Sequence, residues 1–384
     1  MRGYVVTCLL GTSEAVSAHE RVRNAALAER IATVKGLEFA GEYDPSCRYR
    51  APLYLVPHRT IVGGALARQF NIRTADDLFG GVVPFQGLAT KAIMHGLIGR
   101  RSARPRWWTT AFAEVIANAV LPGYTVFSRD DAYRAAQRLL TDGYVRVKRT
   151  LAAGGLGQCT IGSLRELELV LADLAPCELA TCGLVLERHL DDMATYSVGQ
   201  VRLAGLTVSY YGVQRATPNN CGGAAYGGSD LVVVRGDYER LFDLPIPDHV
   251  RLAVSQAATF DLAVQEHYPR VIASRRNYDV GQGVDASGRR LSGVIDQSWR
   301  IGGASGPEIA AIEAFRLDPT LELVEASSVE RYGEGAVTPP GATVHFDGVD
   351  PECGPITLYT VIGRTREGSA WKSTSSSATP VGYV

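Results

Sequence analysis

A lysine at the end of a short strand precedes a glycine-rich turn, and this order suits the binding of phosphate. The alternating stretch 144–148 (YVRVK) ends in Lys148, and the candidate phosphate ligands Gly154, Gly155, Gly157 and Gln158 follow. Glycines let neighbouring backbone N–H groups point at one anion, and lysine adds a positive charge. The spacing differs from a P-loop, a kinase glycine loop and the dinucleotide-binding GxGxxG. A plain surface turn is the alternative.

A second group of polar side chains lies on two stretches that flank a turn. Its members are Asn277 and Asp279 before the turn, and Asp296, Ser298 and Arg300 after it. The turn itself, 285–288 (DASG), favours a hairpin. Residues two apart share a strand face, so two carboxylates and two neutral oxygens would converge beside one guanidinium. Such oxygens suit Mg²⁺, and the arginine suits a phosphoryl group or a carboxylate. A surface hairpin with a salt bridge is the alternative.

A third candidate is the apolar stretch 184–186, which ends at Glu187 and predicts a strand. Where a strand passes into a loop, its backbone groups can pair with the edge of an adenine, and Val185, Glu187 and Leu190 would then lie nearby. An ordinary core strand is the alternative. The adjacent His189 has no paired nucleophile or acidic orienting residue in the sequence, so we assign it no catalytic role.

The elements that must position these residues change in kind along the chain. Strands alternate with helices up to about residue 70, which predicts a parallel α/β domain. From residue 122 a strand, a helix capped by Ser128, the strand of Lys148, another helix and the strand 183–187 predict a compact lid. Two strands around Ala204-Gly205 and a helix over 250–267 follow. The part after residue 326 predicts a β extension with a mobile end at 372–379.

The composition is that of an ordinary globular protein. Of 384 residues, 46% are hydrophobic and 21% charged, and the formal net charge of −1 favours neither nucleic acid nor a membrane as partner. Seven scattered cysteines show no zinc spacing and predict reduced thiols. The short N-terminal apolar run predicts a buried strand rather than a signal peptide. We therefore expect a cytoplasmic protein.

The order of these motifs resembles the ATP-grasp superfamily over about residues 85–310. The matching positions are Lys91, the segment 121–127, Lys148, the glycine loop 154–158, the strand 185–190, the segment 196–199, Asp279, and Asp296-x-Ser298-x-Arg300. The last motif in the superfamily is Glu-x-Asn-x-Arg, so an aspartate and a serine replace two of its metal ligands here. Thr195 occupies the aligned position of the ribose-binding acid, with Asp191 and Asp192 nearby.

The resemblance implies an α/β (α+β) ATP-grasp fold in four parts. These are an N-terminal parallel α/β domain (1–120), a small lid subdomain (121–190), a larger mixed subdomain that carries the metal hairpin (191–325), and a C-terminal β extension with a mobile tail (326–384). The implied cofactors are ATP and Mg²⁺. Lys91, Lys148, the glycine loop and the strand 185–190 would bind ATP, and Asp279, Asp296 and Ser298 would bind the metal.

The chemistry implied by the resemblance is a ligase reaction. A small-molecule carboxylate is activated as an acylphosphate and captured by an amine, with Arg300 as the catalytic arginine. Arg215, in the glycine-rich segment 214–230, is the candidate anion ligand beside the acceptor site; a plain surface loop is the alternative. A kinase or carboxylase acting on a small molecule, a peptide- or tag-forming ligase, and a non-catalytic nucleotide-binding protein are the other hypotheses. Among assemblies of this chain, a homodimer is possible.

Overall fold

A parallel three-stranded sheet forms the N-terminal part of the computed structural model, which describes residues 3–9, 16–152 and 157–367. Its strands are β1 (Tyr4–Cys8), β2 (Glu38–Glu42) and β3 (Leu53–Pro57), in the order β2-β1-β3, and helix α1 (Ala18–Lys35) connects the first two. Gly36 ends α1 in the left-handed conformation (φ 66°), and its N–H bonds back to the helix. The parallel α/β arrangement predicted from the sequence is confirmed.

Short elements lead from this sheet towards the centre of the molecule. They are β4 (Ile61–Val62), α2 (Gly64–Gln69), β5 (Gly81–Val83) and α3 (Thr110–Val115), with 3₁₀ turns at Ala75–Asp77, Gln86–Ala89, Lys91–Ile93 and Ile116–Asn118. Strand β5 pairs with β4 on one side. The side chain of Thr90 caps the turn that begins at Lys91 by accepting a bond from the N–H of Ala92 (3.1 Å), and this fixes the start of that turn.

An antiparallel four-stranded sheet with helices on it forms the lid. Its elements are β6 (Gly123–Val126), α4 (Arg129–Leu140), β7 (Val145–Arg149), β8 (Gln158–Ile161), α5 (Leu164–Ala172), α6 (Pro176–Cys182) and β9 (Leu184–Arg188). The strand order is β6-β9-β7-β8. The predicted cap of α4 is confirmed, since the Ser128 hydroxyl accepts from the N–H of Asp131 at 3.2 Å. The lid has its own core between α4, α5 and the sheet.

An eight-stranded sheet forms the largest part, in the order β15-β14-β10-β11-β12-β16-β18-β17 with antiparallel neighbours. Its strands are β10 (Asp191–Leu203), β11 (Leu206–Pro218), β12 (Ala224–Arg235), β14 (Arg275–Val284), β15 (Arg290–Ser298), β16 (Leu321–Tyr332), β17 (Thr343–Asp350) and β18 (Gly354–Glu367). The remaining elements are α7 (Glu239–Phe242), α8 (Asp248–His267), β13 (Ile272–Ala273) and α9 (Ser305–Leu317); β13 pairs with β5.

Each face of the eight-stranded sheet carries a separate hydrophobic core. Helix α8 packs on one face through Phe260 and Val254, against Val198 and Tyr278 of the sheet. Helix α9 packs on the other face, in a core that also contains side chains of α1 and of the N-terminal sheet. The N-terminal part is therefore joined to the large sheet by a continuous apolar core. Among the helices in the described residues, none is long and apolar enough to cross a membrane.

Two features of the large sheet differ from what the sequence suggested. The segment 214–230, expected to be a long loop, is mostly strand: β11 extends to Pro218, β12 starts at Ala224, and only the tip between them is a turn. That expectation is wrong for most of the segment because residues on both sides of the tip, including Gly228, lie within a paired ladder. The predicted division at residue 326 falls inside β16, which pairs on both sides within one sheet. The expected mobile end, 372–379, lies outside the described residues.

The chain enters the lid beside the hairpin of β14 and β15. Val120 forms a bridge to Val294 of β15, and the N–H of Val294 donates to the Ala119 carbonyl at 2.8 Å. This approach requires glycine at 293, because a β-carbon there would lie 2.3 Å from the Leu121 nitrogen. On the return, the N–H of Arg188 donates to the Pro122 carbonyl at 2.8 Å. The entering segment is thus hydrogen-bonded to the large sheet, and the returning segment to the entering one.

A buried ion pair ties β14 to α9. Arg275 contacts Glu308 through Nε and Nη2, each at 2.8 Å from a carboxylate oxygen, and both side chains are almost fully buried. Tyr210 donates to the same carboxylate at 2.6 Å, and Nη1 of Arg275 donates to the Arg300 carbonyl at 2.6 Å. The guanidinium and the carboxylate of this pair are both hydrogen-bonded. A buried ion pair is stable in a protein interior only when its charged groups are hydrogen-bonded in this way.

We predict that Glu308→Gln destabilises the protein by roughly 3–5 kcal/mol, since it leaves the Arg275 guanidinium buried without a counter-charge. The free energy of unfolding, measured by urea denaturation followed by circular dichroism, tests this. Glu322→Gln is the matched control, because Glu322 pairs with Arg240 at an exposed position and its loss is expected to cost less than about 1 kcal/mol. Equal effects of the two substitutions would contradict the prediction.

Candidate active site

The metal hairpin, β14 and β15, brings the two predicted carboxylates directly opposite each other. Asp279 pairs with Asp296, and Asn277 pairs with Ser298 two positions along. The turn at Asp285, whose carboxylate accepts bonds from the N–H groups of Ser287 and Arg289 at 3.0 and 3.1 Å, sets the pairing as far as Val280. A bulge between Val280 and Asp279 then shifts the register by one residue and places the two carboxylates opposite each other. Directly paired residues of an antiparallel ladder lie on one face, so both carboxylates face the same cleft.

The two carboxylates have different partners within the protein. Asp296 forms an ion pair with Lys91 at 2.9 Å. Asp279 accepts a bond from the side-chain amide of Gln214 at 2.8 Å and lies 3.4 Å from the Ser197 hydroxyl. Burial and the charge of Asp296 raise the pKa of Asp279 to about 6. Two carboxylates that oppose each other's ionisation form a site that a divalent cation would stabilise.

Asn277 and Ser298 contact the buried ion pair at their side of the hairpin. The side-chain amide of Asn277 donates to the Tyr210 hydroxyl at 3.1 Å, and the Ser298 hydroxyl lies 3.4 Å from Nη1 of Arg275. These contacts join the hairpin to the Arg275–Glu308 pair and stabilise its pairing two residues from the carboxylates. Ser298 as a metal ligand stays a prediction.

Lys148 lies at the junction of the lid and the hairpin, held by a buried network. Its ammonium contacts Glu187 at 2.5 Å and donates to the Ile295 carbonyl at 3.1 Å, one residue from Asp296. The second oxygen of Glu187 lies 3.0 Å from Nε2 of His95. Burial would raise the pKa of Glu187, but Lys148 and His95 outweigh it, and the pKa is lowered. Glu187 is therefore a stable counter-charge that orients Lys148.

Lys91 connects the hairpin to the base of the glycine loop. Besides its ion pair with Asp296, its ammonium donates to the Ala152 carbonyl at 2.7 Å. The loop resumes at Gly157 (φ 62°), whose carbonyl accepts from the N–H of Arg149 at 2.9 Å, and Gln158 starts β8. Gly154 and Gly155 lie outside the described residues. Two lysines from different parts of the chain thus converge beside the carboxylates, which suits a polyphosphate.

A small apolar cluster lies where β9 passes into β10. Val185 is buried in mid-strand, with its backbone paired to both neighbours, so the free groups come after the strand. There Leu190 packs with Leu121 and Ile295, and Met193 and Leu291 pack against these three. This apolar cluster includes Ile295, the residue before Asp296, and its role in binding adenine stays a prediction. Asp191 and Asp192 lie exposed at its edge, while Thr195 is paired within the sheet.

The two predicted arginines lie in different surroundings. Burial, and next the like charge of Arg59, lower the pKa of Arg300 to about 10. Nη1 of Arg300 donates to the Ile301 carbonyl at 2.9 Å. Arg215 instead forms an ion pair with Asp230 and donates to the Ser328 carbonyl at 2.8 Å. Its role as an anion ligand stays a prediction.

Sequence reasoning missed the residues that position the site. His95 and Gln214 act through Glu187 and Asp279, which are 92 and 65 residues away in the chain. Neither His95 nor Gln214 lies in a sequence motif that would predict its contact with Glu187 or Asp279. Gln214 could have been found had 214–230 been taken as strand, because it would then face the neighbouring strands. All seven cysteines are free thiols in the structure, and their reduced state in the cell stays a prediction.

Three solved structures that are similar to this chain have low sequence identity to it. An N5-carboxyaminoimidazole ribonucleotide synthetase with ADP bound has a TM-score of 0.50 at 12% identity, covering 94% of this chain and 92% of that one. Phosphoribosylamine–glycine ligase from Thermotoga maritima has a TM-score of 0.48 at 15% identity, covering 94% of this chain and 92% of that one. D-Alanyl-alanine synthetase A from Vibrio cholerae has a TM-score of 0.47 at 12% identity, covering 78% of this chain and 88% of that one. The α/β fold predicted from the ATP-grasp resemblance is confirmed.

Sequence comparisons give a family but no individual relative. The comparison with curated proteins found no match. Residues 7–360, nearly the whole chain, match a single family profile. The chain therefore belongs to the family described as protein of unknown function DUF3182.

Proposed function

We propose that this protein is an ATP- and Mg²⁺-dependent ligase that activates a small-molecule carboxylate as an acylphosphate for capture by an amine. The observation that carries the proposal is the pairing of Asp279 with Asp296 beside two lysines, Lys91 and Lys148. Carboxylates suit the cation and lysines suit the phosphates of a metal–nucleotide complex. The ADP bound by the similar synthetase agrees with a nucleotide site in this fold.

The oxygen ligands on the hairpin fit Mg²⁺. Asp279 and Asp296 would hold the ion, with Ser298 as the predicted third ligand, and burial, followed by the charge of Asp296, raises the pKa of Asp279. Bound there, Mg²⁺ would neutralise charge on the phosphate oxygens. The chain's own contribution is to hold the two carboxylates at a fixed separation through the hairpin register and the bond from Gln214.

The nucleotide would lie between the lid and the hairpin. Lys91, Lys148 and the glycine loop with Gly154, Gly155, Gly157 and Gln158 are the proposed triphosphate ligands. The adenine would enter the apolar cluster at Leu190, near the end of the strand that contains Val185 and Glu187. In this arrangement Glu187 and His95 orient the ammonium of Lys148 and do not themselves contact phosphate.

The proposed reaction has two steps. A carboxylate oxygen of the substrate attacks the γ-phosphorus, the bond to the bridging oxygen breaks, and ADP leaves. The amine nitrogen then attacks the acyl carbon, phosphate leaves, and the nitrogen loses a proton to give an amide. Lys91, Lys148 and Arg300 supply positive charge to the transferring phosphoryl group. The lid excludes water that would hydrolyse the acylphosphate.

We predict that Lys148→Ala weakens ATP binding by at least about tenfold, because it removes a charge-assisted contact of roughly 1.5–3 kcal/mol. Calorimetric titration with a non-hydrolysable ATP analogue and Mg²⁺ measures this, with circular dichroism to verify the fold. Lys35→Met is the matched control, since Lys35 ends α1 and lies over the ring of Tyr54 on β3. An unchanged affinity in a folded Lys148→Ala variant would remove Lys148 from the nucleotide site.

A second prediction concerns the metal. Asp296→Asn should abolish Mg²⁺-dependent turnover and spare the fold, because the side chain is 30% exposed. In the wild type, Mg²⁺ affinity should fall as the pH drops through about 6, since protonated Asp279 cannot bind a cation. Rate against Mg²⁺ concentration at several pH values measures both effects. Asp243→Asn, at an exposed ion pair with Arg240, is the control. A variant that keeps its Mg²⁺ dependence would reduce the carboxylates to a surface pair.

The reaction class is tested without knowledge of the natural amine. Enzyme, Mg-ATP, a panel of carboxylates and hydroxylamine are incubated, and hydroxylamine traps an acylphosphate as a hydroxamate. We expect hydroxamate to form in step with ADP release and to disappear in Arg300→Ala, while Arg240→Ala, an exposed control, behaves as wild type. Arg215→Ala in the same assay tests its predicted role. A stable phosphorylated product without hydroxamate would identify a kinase, and ATP binding without ADP release would favour a non-catalytic protein.

A further inference from the structure

A histidine, an aspartate and a cysteine converge where the first helix meets the last hairpin of the large sheet. His19 lies on the first turn of α1, Asp350 ends β17, and Cys353 lies in the turn before β18. Nδ1 of His19, a carboxylate oxygen of Asp350 and Sγ of Cys353 all lie within 4.8 Å of one another. No sequence spacing could show this group, because Asp350 follows His19 by 331 residues.

The turn between β17 and β18 fixes the positions of Asp350 and Cys353. Oδ1 of Asp350 accepts bonds from the N–H groups of Glu352 and Cys353 at 2.8 and 3.1 Å. From the tip between β11 and β12, the side-chain amide of Asn220 donates to the Cys353 carbonyl. Because the turn engages Oδ1, the other oxygen, Oδ2, faces His19, and it lies 2.9 Å from Nδ1 of that ring.

The imidazole of His19 is held in place as firmly. Its backbone N–H donates to Oδ2 of Asp350 at 2.9 Å, and its ring packs edge-on against Phe346 of β17, with the centroids 6.2 Å apart. Nε2 lies 3.4 Å from the Ser17 hydroxyl, which can accept a bond from an N–H group. With its proton on Nε2, the ring presents a lone pair at Nδ1, the form in which histidine binds a metal.

Nδ1 of His19 faces more groups than it can serve in the protein alone. It lies 2.9 Å from Oδ2 of Asp350 and 3.7 Å from Sγ of Cys353. The nitrogen carries either one proton or one lone pair, so it can donate to the carboxylate or accept from the thiol, but it cannot do both. A divalent cation between the three groups would bind all of them at once.

The distances suit a tetrahedral zinc ion. Zinc lies about 2.3 Å from a sulfur ligand and about 2.0–2.2 Å from nitrogen and oxygen ligands, which places the ligand atoms roughly 3.3–3.6 Å apart. The two distances measured from Nδ1 of His19 differ from these separations by about 0.5 Å or less. Small side-chain movements would therefore complete the coordination.

The arrangement does not suit a catalytic relay in which a histidine activates a thiol. In such a relay the acid and the nucleophile contact opposite nitrogens of the ring, so that one side orients the ring while the other takes the proton. Here Asp350 and Cys353 both contact Nδ1 of His19, and Nε2 lies beside a hydroxyl. The geometry therefore favours metal binding over nucleophilic chemistry.

We propose that His19, Asp350 and Cys353 bind Zn²⁺, with a fourth coordination position open to water. Thiolate and imidazole ligands suit zinc, whereas Mg²⁺ takes oxygen ligands. On binding, the imidazole keeps its proton at Nε2 and the thiol releases one proton to solvent. The ion would join α1 to the β17–β18 turn. This site shares no ligand with the metal hairpin, and it does not depend on the proposed ligase reaction.

The test uses the full-length protein, freed of metal by a chelator and titrated with Co²⁺ in excess Mg²⁺. Co²⁺ substitutes for zinc, and a thiolate ligand gives it an intense charge-transfer absorption that the oxygen ligands of the metal hairpin cannot give. We expect this absorption to saturate at one ion per chain and to disappear when Zn²⁺ is added. Cys353→Ser should abolish it, whereas Cys177→Ser, which removes an exposed thiol on α6, should leave it unchanged.

Zinc affinity separates metal binding from a structural role of the same side chains. Cys353→Ser and His19→Gln should each weaken Zn²⁺ binding by at least about tenfold, since altering even a hydrogen-bond partner of a metal ligand costs about 10–100-fold. Zn²⁺ should raise the unfolding temperature of the wild type and not that of Cys353→Ser. Absence of the charge-transfer absorption in the wild type, or equal zinc affinities in wild type and Cys353→Ser, would overturn the proposal. Affinity for the ATP analogue should be the same in both proteins.

Discussion

Two carboxylates held opposite each other on one hairpin repel, and much of the surrounding structure compensates for that repulsion. Asp296 is neutralised by Lys91, whereas Asp279 receives only neutral donors and its pKa rises to about 6. Moving the strands apart would relieve the repulsion, but the ladder and the buried Arg275–Glu308 pair prevent it. The protein therefore keeps a site of unbalanced negative charge, which a cation can stabilise.

The positive groups around this site come from separate parts of the chain. Lys91 follows the N-terminal sheet, Lys148 belongs to the lid, and Arg300 follows the hairpin. Lys148 is oriented by Glu187, so its position does not depend on a ligand. A phosphate held by both Lys91 and Lys148 would contact two of these parts at once. Binding of the proposed nucleotide would then stabilise the arrangement of the parts as well as the ligand.

Local patterns were sufficient to predict some features of this arrangement, and insufficient for others. The strong turn at 285–288 predicted the hairpin that carries Asp279 and Asp296, because turn chemistry acts over a few residues. Their direct pairing also depends on a bulge that shifts the register by one residue, and no local pattern predicted that bulge. The contact between Lys148 and Glu187 joins two strands of one sheet, but no pattern in the sequence near either residue predicted it. The glycines of 214–230 suggested a loop, but pairing with the neighbouring strands overrode local propensity there. Contacts between distant segments are fixed by the fold, which single-sequence patterns do not encode.

The attachment of the lid has a mechanical consequence. The strands that carry the chain into and out of the lid, β6 and β9, are paired with each other, and the chain enters β6 beside Gly293. A body whose covalent connections are two adjacent strands rotates most readily about one axis through them, once side-chain contacts such as that of His95 with Glu187 are released. Rotation about that axis would carry Lys148 away from the Ile295 carbonyl and leave Asp279 and Asp296 in place. Opening would thus loosen the grip on a nucleotide without dismantling the carboxylate pair.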